Sequence, residues 1–214
     1  HLIRHMLEHC GEKCGLIGTN GVFFGDVARE SARTTPESLE LYGILREMRE
    51  AGMTCAAMEV SSHSLVLHRV LGLQFDAAAF TNLTQDHLDF HGDMESYFEA
   101  KAKLFERCDL AILNGDDAWA MRLRKRLTCP VRICSVRSYE ADYVAQDICD
   151  SGVEGISYCL CARAARMRVF CAVPGTFTVM NSLQAATLAL ECDKSPVCIQ
   201  DALRTMNGVQ GRME

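Results

Sequence analysis

Residues 54–82 read TCAAMEVSSHSLVLHRVLGLQFDAAAFTN, and no other part of the chain is as informative about the fold. The pattern predicts an apolar strand at 54–60, a short helix from Ser61 or Ser62 to about Val70, and a second apolar strand at 76–81. Both strands are apolar throughout instead of alternating, which is typical of parallel strands covered on both faces. The stretch therefore predicts a β-α-β unit of a doubly wound α/β protein with a mostly parallel sheet flanked by helices.

The same order of strands and helices extends outward from this unit. The pattern predicts strands at 14–19 and 110–114, and helices at 2–10, 35–52, 94–107, 116–127, 181–191 and 195–206. The helix at 35–52 is expected to begin with Thr35 as its N-cap and Pro36 in its first turn, with one face formed by Leu39, Tyr42, Leu45 and Met48. Several extended stretches between about residues 130 and 172 predict a small antiparallel annex.

Length, composition and charge exclude several classes of protein. The 214 residues are 49% hydrophobic and 23% charged, which is ordinary for a globular chain with one main core. The formal net charge of -6 gives no general attraction to nucleic acid or to an anionic membrane. No apolar run approaches the roughly 20 residues that a membrane span requires. We therefore expect neither a nucleic-acid partner nor a membrane partner, and the residues carry no signal for an oligomeric state.

The twelve cysteines are the unusual feature of the composition. Most lie inside apolar runs such as Tyr158-Cys159-Leu160-Cys161, and no CxxC pair with the spacing of a structural zinc site occurs. They are interpreted as reduced core residues, which predicts a cytoplasmic protein.

Polar residues that directly follow the apolar strands are the candidates for function, because ligands of doubly wound sheets bind at the carboxyl ends of the strands. Glu59, Asn82 and Asn114 occupy such positions. Glu59 beside Ser61 and Ser62 suits a magnesium ion, which prefers oxygen ligands. The alternative is that a serine caps the next helix and Glu59 is merely solvated.

The segment that follows Asn82 is rich in ionisable side chains. Asp86, His87, Asp89 and His91 place four such groups within six residues, which suits a metal or phosphate site but also a solvated polar loop. An HExxH zinc motif is excluded, since Leu88 stands where its glutamate would be. Taken alone, two lysines on the next helix, at 101 and 103, indicate only a solvated face. The tetrapeptide at 18–21, GTNG, lacks the lysine and hydroxyl residue of a phosphate-binding loop.

Taken in order, these segments resemble the Mur ligases over essentially the whole chain. The matching segments are Thr34-Thr35-Pro36, Met58 to His63 with Arg69, Phe80 to Leu83, Asp86 to Asp89, Ala100-Lys101, Asn114 to Asp117, Pro174-Gly175 to Asn181, and Gly208 to Glu214. The spacing is similar to that of the branch that joins a diamino acid to UDP-N-acetylmuramoyl-L-alanyl-D-glutamate in peptidoglycan biosynthesis, with ATP and Mg²⁺.

The resemblance implies a role for each site residue. Glu59 and His87 would be magnesium ligands, together with a carbamate on Lys101, and these three would form the catalytic group. The nucleotide would be bound by Asn82 at its phosphates, Asn181 at adenine, and Arg212 near the ATP phosphates. The UDP-muramoyl-dipeptide would be held by Thr34, Thr35, Ser61 and Arg69. Thr178 stands where the family usually has a second asparagine.

The resemblance also implies a domain organisation. Residues 1–208 would be the central ATP-binding domain without its Walker loop, and 209–214 the start of a linker to a carboxy-terminal domain that receives the diamino acid. This piece alone is expected to be inactive. Three alternatives stay open: a folylpolyglutamate synthetase-like ligase, a non-catalytic sugar-nucleotide-binding module, and a metal-dependent hydrolase built on His63, His87, Asp89 and His91.

Overall fold

The computed structural model describes residues 1–163, 166–206 and 208. The strands are β1 Cys14–Gly18, β2 Gly21–Phe24, β3 Val27–Arg29, β4 Cys55–Met58, β5 Ala78–Phe80, β6 Ala111–Asn114, β7 Val131–Ser135, β8 Tyr143–Asp150, β9 Ile156–Ala162 and β10 Arg166–Cys171. The helices are α1 Leu2–His9, α2 Ser38–Glu50, α3 Ser62–Val66, α4 Leu88–His91, α5 Met94–Ala102, α6 Ala118–Arg124, α7 Phe177–Glu191 and α8 Pro196–Thr205. Predicted residues 209–214, with Arg212, lie outside the described part.

The smaller sheet has the strand order β3-β2-β1-β4, with β1 and β4 parallel. Strands β1 and β2 form a hairpin in which Gly18 pairs with Gly21, so the GTNG tetrapeptide is a tight turn. Gly21 has a φ of +124°, and a Cβ on it would lie 2.4 Å from the carbonyl oxygen of Arg29 on β3. Only glycine fits there without displacing the next strand. This hairpin and β3 were not predicted.

The larger sheet has the strand order β10-β9-β8-β7-β6-β5. Strands β5 to β8 are parallel, and β8 to β10 are antiparallel. On β6, Ile112 packs in a core cluster with Leu183 of α7, whereas the adjacent Leu113 packs with Phe98 of α5. Both faces of the strand are therefore covered by helices, which confirms the reason for its uniformly apolar sequence. The predicted antiparallel annex is present, but it begins at Tyr143 because 131–135 pairs parallel with β6.

The predicted start of α2 is wrong, and its predicted face is right only for Met48 and the half-buried Leu45. The N-cap is Glu37 instead of Thr35. The buried face consists of Leu41, Ile44 and Met48, while Leu39 is 89% exposed. The helix begins later because the Thr35 side chain bonds the segment after β4 instead of a helix end.

The prediction for the cysteines is confirmed only in part. All twelve are free, but only Cys14, Cys108, Cys134, Cys159 and Cys171 are buried, whereas Cys149 and Cys192 are exposed and the other five are half-buried. Within the described residues, no helix has the length and apolar character needed to cross a membrane.

Candidate active site at the carboxyl ends of the strands

Glu59 directly follows β4 and is held by the β1-β2 turn. Its Oε2 accepts hydrogen bonds from the Thr19 hydroxyl at 2.6 Å and from the Thr19 backbone N–H at 3.2 Å. A Cβ on Gly18 would lie 3.0 Å from the Glu59 carboxyl carbon, so this glycine lets the carboxylate pack against the turn. The Glu59 carboxylate is thus oriented by a neighbouring strand.

Thr35 joins the backbone on both sides of Val60. Its hydroxyl donates to the carbonyl oxygen of Glu59 at 2.9 Å and accepts from the N–H of Ser61 at 3.0 Å. The Thr35 side chain is completely buried. Ser61 in turn caps α3 by accepting from the N–H of Ser64, which confirms the capping role considered from the sequence. Thr34 remains half-buried, with its Oγ1 3.1 Å from that of Thr19.

Arg69 lies beneath this segment and is only 8% exposed. Its guanidinium donates to the carbonyl oxygen of Thr35 at 3.2 Å and forms a 2.8 Å ion pair with Glu37. Its Nε is buried without a hydrogen-bond partner in the described part of the chain. One directed donor therefore remains beside Thr35, while the rest of the guanidinium holds the protein together.

His87 stands at the start of α4 in the left-handed region, with a φ of +55°. Non-glycine residues rarely adopt this conformation, and those that do are often found at functional sites. The Asp86 carboxylate accepts from the backbone N–H of His87 at 2.8 Å and so stabilises the turn. The imidazole lies edge-on to the His63 ring, with centroids 5.0 Å apart, and 6.1 Å from the Tyr97 ring centroid.

His91, at the other end of α4, packs against the same group of rings as His87. Its Nε2 lies 2.8 Å from the Ser62 hydroxyl, and its ring stacks on Tyr97 with centroids 4.9 Å apart. Burial lowers the pKa of His91, and the neighbouring imidazoles of His63 and His87 lower it further. The ring is therefore predominantly neutral at pH 7.

Lys101 emerges from α5 into partly buried surroundings. Its Nζ donates to the carbonyl oxygen of Asn82 at 3.2 Å and lies 5.1 Å from the Phe80 ring centroid and 5.7 Å from that of Tyr97. No carboxylate of the described residues lies within ion-pair distance of it. Burial lowers the pKa of this amine, although the more distant Asp117 charge opposes the shift.

The three predicted metal ligands are connected through α3 and Tyr97. His87 and Lys101 both lie against Tyr97, and His87 contacts His63 of α3. Glu59 is linked to the start of the same helix through Thr35 and Ser61. In the described residues, no group of three or more His, Cys, Asp or Glu side chains is arranged to hold a metal ion. A metal centre here would need oxygen donors beyond these side chains.

The remaining predicted positions lie on nearby elements. Asn82 is exposed and directly follows the turn after β5, and Asn181 is exposed on α7. Thr178 is buried, and its hydroxyl donates to the carbonyl oxygen of Pro174 at 3.0 Å, which stabilises the start of α7. Sequence reasoning missed Thr19 and Tyr97, which directly contact predicted site residues.

A family model described as the Mur ligase middle domain matches residues 1–189. The chain belongs to the Mur ligase family. It is similar to curated proteins named UDP-N-acetylmuramoyl-L-alanyl-D-glutamate–2,6-diaminopimelate ligase. The identity is 37% for the protein of Chlorobium phaeobacteroides, 38% for that of Syntrophomonas wolfei and 41% for that of Gloeobacter violaceus, each over 100% of this chain. The chain spans 44% of the length of each of these relatives.

Solved structures agree with this placement. A structure of a ligase with the same name superposes with a TM-score of 0.86 at 28% identity, covering 97% of this chain and 44% of that one. A structure of MurF from Acinetobacter baumannii has a TM-score of 0.80 at 18% identity, covering 100% of this chain and 44% of that one. At this lower identity the likeness concerns the fold alone.

Proposed function

We propose that the chain is the middle domain of a longer ATP-dependent ligase that adds diaminopimelate to UDP-N-acetylmuramoyl-L-alanyl-D-glutamate in peptidoglycan biosynthesis. The names of the relatives at 37% to 41% identity support both the reaction and the choice of diamino acid. Because the chain spans 44% of those relatives, the segments that complete the site would lie outside residues 1–214.

The chemistry has two steps. A carboxylate oxygen of the D-glutamyl residue attacks the γ-phosphorus of ATP, ADP leaves, and an acyl phosphate forms. The amine of diaminopimelate then attacks the acyl carbon, phosphate leaves, and the amine loses a proton as the amide forms. Such reactions depend on orientation and on stabilising spreading negative charge, so no protein nucleophile is required. Ser61 and Ser62 are therefore not nucleophiles in this proposal.

Glu59, His87 and, once carbamylated, Lys101 would hold a magnesium ion at the strand ends. Mg²⁺ prefers oxygen ligands, and Glu59 supplies a carboxylate that Thr19 already orients. His87 supplies one nitrogen. Lys101 would contribute only after its amine has bound carbon dioxide to form a carbamate, which is an anionic oxygen donor. Bound Mg²⁺ would neutralise the phosphates, while these residues fix its position.

One observation carries this proposal: the Lys101 amine is partly buried and bound to the Asn82 carbonyl, and no carboxylate of the described residues lies within ion-pair distance of it, although the more distant Asp117 charge acts on it. An ammonium group in this setting is unfavourable, since desolvation penalises its charge. Burial therefore favours the neutral amine, which is the form that reacts with carbon dioxide. Conversion to a carbamate also removes the positive charge that would repel a metal ion.

On the substrate side, Thr34, Thr35, Ser61 and Arg69 form a contiguous group beside Glu59. We propose that this group holds the UDP-muramoyl-dipeptide, with the buried Arg69 guanidinium fixing the Thr35 backbone from beneath. Asn82 would contact the nucleotide phosphates, and Asn181 the adenine. The free state of all twelve cysteines supports a cytoplasmic location.

The test uses the full-length protein that contains this chain, assayed for ATP-dependent joining of diaminopimelate to the UDP-muramoyl-dipeptide. Replacing Lys101→Ala is expected to lower kcat by at least about 100-fold, the usual effect of removing a group that stabilises developing charge. The matched control is Lys103→Ala, because Lys103 is exposed two residues further on and has no part in the site. It should leave kcat within about twofold, as surface substitutions generally do.

Equal kcat values for the two variants would contradict the role of Lys101. If the sugar nucleotide stabilised the protein against heat but no product formed with the wild type, the chain would be a binding module instead. The geometry does not favour the hydrolase alternative. The His63 ring centroid lies 5.0 Å from that of His87 and 5.5 Å from that of His91, but His91 Nε2 is bound to the Ser62 hydroxyl. Across the part of the chain that the structure describes, no group of three or more His, Cys, Asp or Glu side chains is arranged to hold a metal ion.

A further inference from the structure

The segment that carries Asn82 is held at four consecutive residues by side chains from three parts of the chain: α5, α7 and residues 114–117. The carbonyl oxygens of residues 80, 81 and 82 and the N–H of residue 83 each have a side-chain partner. The contacts are Gln184 Nε2 to Phe80 O at 3.0 Å, Asn114 Nδ2 to Thr81 O at 2.7 Å, Lys101 Nζ to Asn82 O at 3.2 Å, and Leu83 N to Asp117 Oδ2 at 3.1 Å.

The two bonds that flank Asn82 come from Asn114, the last residue of β6, and from Asp117 in the short loop that follows it. Asn114 donates to the residue before Asn82, and its Oδ1 accepts from the N–H of Asp116 at 2.9 Å. Asp117 accepts from the residue after Asn82, and its Oδ1 also caps α6 through the N–H of Ala120 at 2.9 Å. Residues 114–117 thus bind the peptide units on both sides of Asn82, and their own side chains are fixed by further hydrogen bonds to Asp116 and Ala120.

The Asn82 side chain, unlike the backbone on either side of it, has no short hydrogen bond among the contacts of the described residues. Asn82 is exposed, and the hydrogen bond from its Nδ2 to the Thr84 hydroxyl is long, at 3.4 Å. Exposed loops usually keep backbone freedom, and ordering a residue costs conformational entropy. Here folding has already fixed the backbone, so a ligand that binds the Asn82 side chain does not have to order it.

We propose that Asn114 and Asp117 are positioning residues, which clamp the Thr81-to-Leu83 turn so that the Asn82 amide is presented to the phosphates of a nucleoside triphosphate. The clamp also fixes the carbonyl that receives the Lys101 amine, so the two groups are held in one geometry. This inference rests on the proposed function, since it takes Asn82 to lie at the nucleotide.

Two adjacent aspartates provide a matched pair of variants in the full-length enzyme. Asp117→Ser keeps a preferred N-cap residue for α6 but has only one oxygen, so the bond to Leu83 is lost. Asp116→Ser removes the same charge from the same loop. Asp116 instead accepts from Ser135 Oγ at 2.6 Å and from the N–H of Val136 at 2.8 Å, and its carboxylate does not contact the Asn82 turn.

The Michaelis constants for ATP and for the UDP-muramoyl-dipeptide separate positioning from general damage. Asp117→Ser should raise the KM for ATP about tenfold, the equivalent of one well-placed hydrogen bond, and leave the KM for the dipeptide substrate unchanged. Asn114→Ala, which changes no charge, should act in the same direction. Hydrogen exchange at the Leu83 amide should accelerate in Asp117→Ser but not in Asp116→Ser.

Equal ATP KM values for Asp117→Ser and Asp116→Ser would overturn the clamp. An unchanged ATP KM in Asn82→Ala would overturn the assignment of Asn82 and the clamp with it. A wild-type enzyme without ATP-dependent ligation would overturn the proposed function itself. An active wild type with indistinguishable aspartate variants would overturn the clamp alone.

Discussion

Thr35 offers the sharpest test of how the site is built, because its hydroxyl bonds two backbone groups at once. Thr35→Val keeps the shape of the side chain and removes only the hydroxyl. The carbonyl of Glu59 and the N–H of Ser61 would then lose their partner at 2.9 and 3.0 Å. An unsatisfied buried polar group costs about 1–3 kcal/mol, and both groups here are partly buried, so we expect a loss of about 2–3 kcal/mol in the free energy of unfolding.

Thr34→Val is the matched control. The Thr34 hydroxyl is half-buried and lies 3.1 Å from one other hydroxyl, that of Thr19, which keeps its bond to Glu59. Water is able to replace such a contact, so the loss should stay under about 1 kcal/mol.

Urea denaturation of the 214-residue chain measures the difference. With a slope of about 2–3 kcal/mol per molar urea for a domain of this size, Thr35→Val should lower the midpoint by about 1 M. If the two valine variants differed by less than about 0.5 kcal/mol at equal slopes, water or a shifted backbone would be replacing the Thr35 hydroxyl. The reasoning that assigns this threonine a structural bond would then be refuted.

Three further outcomes are expected. Glu191→Gln should make the melting temperature fall less steeply as the pH is lowered into the acid range. Burial alone raises the pKa of Glu191, but hydrogen bonds from Arg132 and Tyr143 overcome this and lower it, so its contribution is present above the unfolded pKa of about 4.3 and is lost as pH falls through the folded value. A variant that melts in parallel with the wild type from pH 6 to about pH 3 would contradict this. Gly43→Ala should raise the free energy of unfolding by about 0.5–1 kcal/mol, because Gly43 lies within α2 and its Cβ would meet open space; a lower melting temperature would show a contact there. The isolated chain should form no product with ATP and both substrates under conditions in which the full-length enzyme does, and product formation would contradict the proposed need for further segments.

The elements that sequence reasoning predicted well are those in which burial alone determines the pattern. Residues 111–113 of strand β6 are all apolar because Ile112 faces α7 and Leu113 faces α5. Burial could not be predicted as well for α2, because the sequence offers two apolar stripes at helical spacing. One of them consists of Leu39, Tyr42, Leu45 and Met48. The structure buries Leu41 and Ile44 instead, because the sheet that α2 packs on determines which stripe faces inward.

In the candidate site, too, some residues could be predicted from the sequence pattern and others could not. Glu59 and Asn82 could be singled out because each follows an apolar strand, and strand ends of a doubly wound sheet meet at one edge. Thr19 was not found, because the tetrapeptide containing it was examined only as a phosphate loop. Its bond to Glu59 depends on the β1-β2 hairpin bringing a turn next to β4, which is a tertiary relation.

Side-chain bonds to the main chain explain why the support of this site is hidden from sequence. Asn114, Asp117 and Lys101 all bind backbone atoms of the Asn82 turn, and any residue with the same backbone would accept or donate equally well. The residue types in the sequence therefore do not indicate which backbone group such a side chain binds. Such bonds tie the position of a lysine on α5 to that of an asparagine after β5. A substitution at Asn114 or Asp117 should consequently shift both Lys101 and Asn82, even if neither substituted side chain contacts a ligand.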